Sequence, residues 1–317
     1  MPEPPRSPAE SILLDEETAG LEPDSSAIQV GAVTGGPEVE KERRRKGIGL
    51  GAWLAIVWLS LLIGSALLAP VLPIPDPVAD SVPAAEYKSP PSVDHPFGVD
   101  TTGLDVFSRV VWGTRNSLFI GTASVILGFL VGGACGIIGG YFKGKIGGIV
   151  GVPMDIALAF PPLVLALAVV TFLGRSVSNV TIALAIVSAP ILYRIARAST
   201  LSWSEREFVL ACRAQGGKHF RIMTREILPN VLPAMFSIAL LGIAVVIVAE
   251  GGLAIIGAGV KPDVVTWGNV IVSGQGELRD ASHIALAPSL VIFFTVLSLN
   301  YLGDVVRAKF DVRESAL

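Results

Sequence analysis

Long apolar runs, each close to the length that a helix needs to cross a lipid bilayer, constrain this chain more than any other feature. A hydrocarbon core about 30 Å thick requires roughly 20 apolar residues in a helix. Six runs qualify or nearly qualify, and they cover approximately 48–70, 117–141, 149–173, 177–199, 231–258 and 283–303. Only 16% of the 317 residues are charged, and most of these lie outside the runs. We therefore predict an all-α integral membrane protein with about six transmembrane helices.

The distribution of Lys and Arg predicts the orientation of these helices, because cytoplasmic loops carry an excess of both. A basic cluster at 41–46 precedes the first run, whereas the long loop 73–116 is mostly acidic. The loop 201–230 holds five basic residues, and the tail 304–317 holds Arg307, Lys309 and Arg313. We expect both termini and the loop 201–230 to be cytoplasmic, and the loop 73–116 to be external.

The same pattern divides the chain into segments. Residues 1–47 are rich in Pro, Glu and Ser without apolar periodicity, which indicates a disordered acidic cytoplasmic tail that ends in the basic cluster. The first transmembrane helix should occupy 48–72, followed by the external loop 73–116, a transmembrane core at 117–303 and a cytoplasmic tail at 304–317.

Within the external loop, the residues before the second run have an amphipathic pattern. Leu104, Phe107 and Val111 share a helical face, and Asp105 and Arg109 have the i, i+4 spacing of an ion pair. We expect an interfacial helix here, lying in the plane of the lipid headgroups.

Inside the predicted spans, glycines recur at helical spacing, most regularly at Gly132, Gly136 and Gly140. Small residues let helix backbones approach closely in lipid. Helix packing within the chain is the favoured explanation, and a contact with a second subunit is the alternative.

The cytoplasmic loop 201–230 is the most informative segment. Its first part is typical of a short helix, which Gly216 and Gly217 should end because Gly readily adopts the left-handed conformation. A second short helix should follow, and Pro229 marks the entry to the fifth span. From these residues alone, a helix on the lipid surface and a helix that docks into a partner's groove are equally supported.

One acidic residue falls inside a predicted span. Glu250 lies between Ala249 and the pair Gly251-Gly252. An intramembrane carboxylate is costly and therefore a functional candidate. Glu250 could face a transport pathway, but a structural role against backbone loosened by the glycines is favoured.

Several function classes lack the residues they need. There is no Walker phosphate loop, no metal-ligating cluster, no catalytic constellation in the spans and no basic face suited to nucleic acid. An ion-coupled secondary transporter, the main alternative to an ATP-driven one, would show an inverted repeat and several midplane carboxylates, which are not evident.

The cytoplasmic loop resembles the "EAA" loop of bacterial binding-protein-dependent ABC importers, with Ala211, Arg213, Ala214, Gly216 and the Ile227-Leu228-Pro229 ending in register. In that family the loop is the coupling helix that docks on the ATPase subunit. Leu210 stands where the family usually has Glu, and Cys212 replaces the second Ala. The resemblance therefore implies docking by shape and apolar burial, with Glu207 as a possible substitute for the missing carboxylate. The implied coupling residues are Glu207, Leu210, Ala211, Cys212, Arg213, Ala214, Gly216, Gly217, Ile227, Leu228 and Pro229.

Other motifs resemble the dipeptide, oligopeptide and nickel branch of the same family. They are His95-Pro96-Phe97-Gly98-Val99-Asp100, Gly113-Thr114-Arg115-Asn116-Ser117-Leu118, Ala249-Glu250-Gly251-Gly252-Leu253, Trp267-Gly268-Asn269 and Asn300-Tyr301-Leu302-Gly303-Asp304. The resemblance implies a C-type permease subunit with the type I ABC importer fold, in a bacterial cytoplasmic membrane, that transports di- or oligopeptides, or else nickel or another small solute. It also implies a homologous B-type permease, one or two ATPase subunits that hold ATP and Mg²⁺, and an external solute-binding protein as partners, with no cofactor in this chain.

Overall fold

The computed structural model describes residues 49–314, and their side chains as far as residue 308. The predicted acidic tail and its basic cluster lie outside these residues. The helices in the described part are α1 (Leu50–Leu68), α2 (Val106–Phe142), α3 (Gly144–Ala159), α4 (Pro162–Leu173), α5 (Val177–Ser204), α6 (Glu207–Ala214), α7 (His219–Ile255), α8 (Trp267–Gly274) and α9 (His283–Glu314). Short 3₁₀ turns occur at Ala84–Glu86 and Gln275–Glu277.

Five of these helices are long and apolar enough to cross a membrane: α1, α2, α5, α7 and α9. The third predicted span, 149–173, is not one straight helix. It is divided into α3 and α4, which meet at an angle of 99°. Phe160 and Pro161 at the break are extended, because a proline disfavours helical geometry in the residue before it and Pro161 is itself followed by Pro162.

The centre of the bundle is the packing of α2 on α5. The glycine ladder of α2 faces α5, where a Cβ on Gly136 would lie 2.5 Å from the Cβ of Ala196 and one on Gly140 would lie 2.8 Å from the Cβ of Thr200. Those distances leave no room for a side chain. The ladder therefore serves packing within the chain, as the favoured explanation predicted.

The region before the second span differs from the predicted interfacial helix. Helix α2 begins at Val106 and continues without a break into the membrane, and its first turns are buried. The expected Asp105–Arg109 pair does not form. Asp105 caps the helix by accepting from the Ser108 amide at 2.6 Å, and it contacts His95 at 2.8 Å. Arg109 instead pairs with the buried carboxylate of Asp100.

The segment between α6 and the fifth span also differs from its prediction. The expected second short helix is continuous with the span, so that α7 runs from His219 to Ile255. A π-helical stretch, Ile222–Ile227, precedes Pro229. Proline has no amide hydrogen and crowds the preceding turn, and here the wider π turn takes up the irregularity without breaking the helix.

Candidate functional site

Helix α6 is attached to the bundle through one side only. Val209 is fully buried, and it belongs to an apolar cluster with Tyr141 of α2, Ala196 of α5, and Ile222 and Ile227 of α7. Cys212, one turn later, is half-buried beside the same cluster. The inner side of α6 is therefore in contact with three membrane-spanning helices.

The remaining surface of α6 is open and partly apolar. Phe208 is 40% exposed and Leu210 is 49% exposed, and Ala211 and Ala214 are also exposed. Large apolar side chains exposed together outside the spans are a mark of an interaction surface. We call Phe208, Leu210, Ala211 and Ala214 the open face of α6.

The C-terminal end of α6 has the geometry that the sequence predicts. Gly216 has φ +77°, its amide donates to the Arg213 carbonyl at 3.0 Å, and the Gly217 amide donates to the Cys212 carbonyl at 2.9 Å. This pair of bonds is the Schellman motif, which satisfies the last carbonyls of a helix. The prediction that Gly216 and Gly217 end the helix is confirmed.

Charged and aromatic side chains hold the ends of the loop. The guanidinium of Arg213 lies 4.6 Å from the centre of the Tyr141 ring, and the Tyr141 hydroxyl is 2.9 Å from Nδ1 of His219. Lys143, between α2 and α3, donates to Glu205 at 2.8 Å. That hydrogen bond and the positive charge of Lys143 lower the pKa of the Glu205 carboxyl. Because its guanidinium contacts Tyr141, Arg213 faces the bundle rather than the open face of α6.

The other predicted coupling residues divide into two groups. Glu207 is exposed in the first turn of α6, whereas Ile227 is buried in the cluster on α7, with Leu228 partly buried and Pro229 exposed beside it. Sequence reasoning missed Tyr141 and His219, which contact the loop from outside the motif.

Glu250 lies away from this loop, on α7. The Glu250 side chain is 1% exposed, and its carboxyl group lies near Thr266 and the amide of Gly268 at the start of α8. Neither of these two contacts has the geometry of a hydrogen bond. A Cβ on Gly268 would lie 3.1 Å from the carboxylate. The first amides of a helix have no partner within the helix, so a polar side chain is accommodated at its N-terminus. The position favours a structural role that joins α7 to α8.

Potential metal ligands are dispersed in the part of the chain that the structure describes. No three His, Cys, Asp or Glu side chains there are grouped to hold an ion. Cys135 and Cys212 are both free thiols.

A bundle of apolar helices long enough to cross a bilayer, with a short exposed helix between two of them, is the architecture of a multi-pass membrane protein. The model of the family described as binding-protein-dependent transport system inner membrane component matches residues 125–315. The chain belongs to this family of transport permeases. The matched region begins within α2, so α1 and the segment between α1 and α2 precede it.

Similar proteins include named transport permeases. A glutathione transport system permease protein of Pectobacterium atrosepticum, GsiD, is 36% identical over 221 residues, which cover 70% of this chain and 73% of the relative. A dipeptide transport system permease protein of Alkalihalophilus pseudofirmus, DppC, is 35% identical over 260 residues, 81% of this chain and 85% of the relative. A putative peptide transport system permease protein of Brucella suis is 34% identical over 270 residues, 85% of this chain and 89% of the relative.

Solved structures share the fold. A chain of the MetNI methionine ABC transporter in inward-facing conformations has a TM-score of 0.54 at 19% identity, and the match covers 63% of this chain and 95% of that one. A chain of an amino acid ABC transporter solved with histidines has a TM-score of 0.50 at 16% identity, covering 64% and 94%. The chain therefore has the fold of an ABC importer permease.

Proposed function

We propose that this chain is the C-type permease subunit of an ATP-driven importer of di- and oligopeptides, and that it forms half of the pore. A homologous B-type permease forms the other half, an external solute-binding protein delivers the peptide, and one or two ATPase subunits hold ATP and Mg²⁺. The observation that carries the proposal is the exposure of the open face of α6 on a helix whose other side is buried in the bundle.

The contacts of α6 provide a route from nucleotide hydrolysis to the spans. The cluster around Val209 includes residues of α2, α5 and α7, and Arg213 adds a cation–π contact to Tyr141. A displacement of α6 by an ATPase subunit would therefore act on three spanning helices together. The change between an outward-facing and an inward-facing cavity requires the spanning helices to move together as a rigid body.

The chemistry of the open face is apolar. Leu210 occupies the position where the family usually has Glu, and it is exposed. Glu207 lies in the first turn of the helix, where the dipole already stabilises a carboxylate. We infer that docking on the ATPase subunit depends on burial of Leu210 and Ala211 rather than on a carboxylate contact.

A substitution in the open face tests the coupling role. Ala211→Arg places a long charged side chain where an apolar surface must dock, and Val93→Arg makes the same change at an exposed position of the external segment. We expect the Ala211→Arg chain to reach the membrane but to lose copurification with the ATPase subunits, while Val93→Arg retains it. Normal assembly and peptide-stimulated ATP hydrolysis with Ala211→Arg would contradict the coupling role.

Uptake measurements test the transport function. The complete transporter in proteoliposomes should accumulate a dipeptide when ATP is enclosed with the ATPase subunits and the loaded binding protein is outside. A proton gradient without ATP should give no accumulation. Uptake of Ni²⁺ instead of peptide, or uptake driven by the gradient alone, would overturn the proposal.

A further inference from the structure

A polar cavity of about 350 Å³ lies between α5, α7 and α9 and includes no residue of α6. Pockets that bind small molecules have volumes of about 300–1,000 Å³. The cavity is at the end of the bundle that carries α6, since Trp203 lines it and the centres of the Trp203 and Phe208 rings are 6.2 Å apart. Its other polar lining residues come from all three helices and are Ser199, Ser202, Ser237 and Arg307.

Two serines in the lining have hydroxyl groups without a partner. Ser199 is half-buried and Ser202 is exposed, and their i, i+3 spacing places them on the same face of α5. Neither hydroxyl bonds to any residue that the structure describes. Ser237 differs, because its hydroxyl donates to the carbonyl of Gly303 at 3.4 Å and so joins α7 to α9. Ser199 and Ser202 are therefore the hydroxyl donors that remain for a ligand.

Arg307 gives the cavity a positive charge. Among the described residues that line the cavity, Arg307 alone is charged, and none of them carries a carboxylate. Asp304, one turn earlier on α9, is exposed and does not belong to the lining. A guanidinium has five N–H donors, so Arg307 retains donors for a ligand beside the contact that it already makes. A guanidinium and two hydroxyl donors around one space favour an anionic ligand.

The rest of the lining is apolar and includes Ile195, Pro233 and Ile238. The ligand that fits therefore has one anionic group and an uncharged body. A carboxylate suits the anionic position, because a guanidinium binds it through two parallel hydrogen bonds. A peptide has such a carboxylate at its C-terminus. A phospholipid also joins an oxyanion to an apolar body, but its two acyl chains would extend beyond a cavity of this size.

We propose that this cavity binds the C-terminal carboxylate of a peptide at the α6 end of the permease. Arg307 supplies the positive charge, and Ser199 and Ser202 donate hydrogen bonds from their hydroxyl groups. The choice of a peptide rests on the proposed function. The preference of the cavity for a carboxylate does not depend on that function, because it follows from the lining alone.

Direct binding tests the site. The complete transporter, without its external binding protein, is placed in phosphatidylcholine nanodiscs. Dissociation constants are measured by saturation-transfer NMR for a dipeptide, its N-acetylated form and its C-terminal amide. We expect the two forms with a free carboxylate to bind with similar affinity. The amide should bind about tenfold more weakly, as the loss of a hydrogen bond to a charged group implies.

Variants assign the binding to the cavity. Arg307→Gln should weaken binding of the two carboxylate forms to the level of the amide and leave binding of the amide unchanged. Arg307→Lys should restore part of the difference, because an ammonium group pairs with a carboxylate but lacks the planar fork. Ser199→Ala should weaken the carboxylate forms about threefold. The control is Arg279→Gln, which removes an exposed positive charge outside the cavity and should bind like the wild type.

Equal affinities for the dipeptide and its amide, or full carboxylate binding in Arg307→Gln, would overturn the site. A lipid phosphate would replace the peptide as ligand if added phosphatidylglycerol abolished peptide binding and Arg307→Gln no longer retained that lipid in native mass spectra. Uptake in proteoliposomes separates the two proposals. Accumulation of peptide without any carboxylate preference in binding would leave the proposed function and remove the site. A carboxylate preference that Arg307→Gln abolishes, without accumulation of peptide, would leave the site and remove the proposed function.

Discussion

At the scale of single residues, Asp100 is constrained by several contacts at once. It is fully buried, pairs with Arg109 and accepts hydrogen bonds from the Thr102 amide at 2.8 Å and the Leu104 amide at 3.0 Å. A buried ion pair is not strongly stabilising in itself, but removal of one partner leaves the other charge uncompensated. Asp100 thus holds the segment between α1 and α2 on the first turn of α2.

Asp100→Ala should therefore destabilise the folded chain severely. Arg109 would remain buried without its carboxylate, at a cost of about 3–5 kcal/mol. We expect a large drop in the thermal stability of the detergent-solubilised chain. Asp94→Ala, at an exposed position of the same segment, is the control and should leave the melting temperature unchanged. Equal melting temperatures for the two variants would show that Arg109 finds another partner.

A second residue-scale prediction concerns the end of α6. Gly216 has φ +77°, and no atom lies within 4 Å of the position that a Cβ would take. Gly216→Ala therefore causes no steric clash with a neighbour. Its cost is that of placing Ala in the left-handed backbone conformation, about 1–2 kcal/mol. We expect α6 to fray, with faster hydrogen exchange at the amides of Gln215 and Gly217. Gly216→Asn should recover much of the protection, because Asn tolerates this conformation. Identical exchange in Gly216→Ala and the wild type would count against the motif.

At the scale of elements, residue patterns anticipate helices better than they anticipate breaks and partners. The apolar runs locate the spans because bilayer thickness fixes helix length. A search for apolar runs does not detect that Pro161 and Pro162 divide one run into two helices. The pairing of Arg109 with Asp100 was missed because it depends on how the segment before α2 folds back onto that helix. The i, i+4 rule considers only neighbours in one helix. The contact of Tyr141 with His219 joins residues 78 positions apart and has no local signal.

The α2–α5 packing gives a prediction with a matched control. Gly136→Val would force side-chain atoms into α5, where overpacking costs about 1–3 kcal/mol, and we expect lower membrane abundance and a lower melting temperature. Gly148→Val, on α3, makes the same change where no atom lies within 4 Å of the added Cβ. If Gly148→Val lowered the melting temperature more than Gly136→Val, the glycine ladder would not be the closest contact between α2 and α5.

At the scale of the whole molecule, the proposed function gives α6 two separable tasks. Its open face is proposed to dock the ATPase subunit, and its buried side is proposed to transmit that subunit's motion to the spans. Val209 belongs only to the second task, since it is fully buried in the cluster with Ile222 and Ile227. Leu210, the next residue, is exposed and belongs to the first. Adjacent residues therefore allow docking and transmission to be tested independently.

Val209→Ala should leave the ATPase subunits bound but weaken the link to the spans, because deletion of buried methyl groups leaves a cavity between α6 and α7. We expect ATP hydrolysis to continue while peptide uptake falls, so that the number of peptides moved per ATP decreases about threefold or more, as a partly lost packing contact allows. Leu210→Ala should instead reduce assembly, with hydrolysis and uptake falling together. Both rates are measured in the same proteoliposomes. An unchanged ratio of uptake to hydrolysis in Val209→Ala would mean that the buried side of α6 does not carry the motion, and that the force enters the spans through the ends of the loop instead.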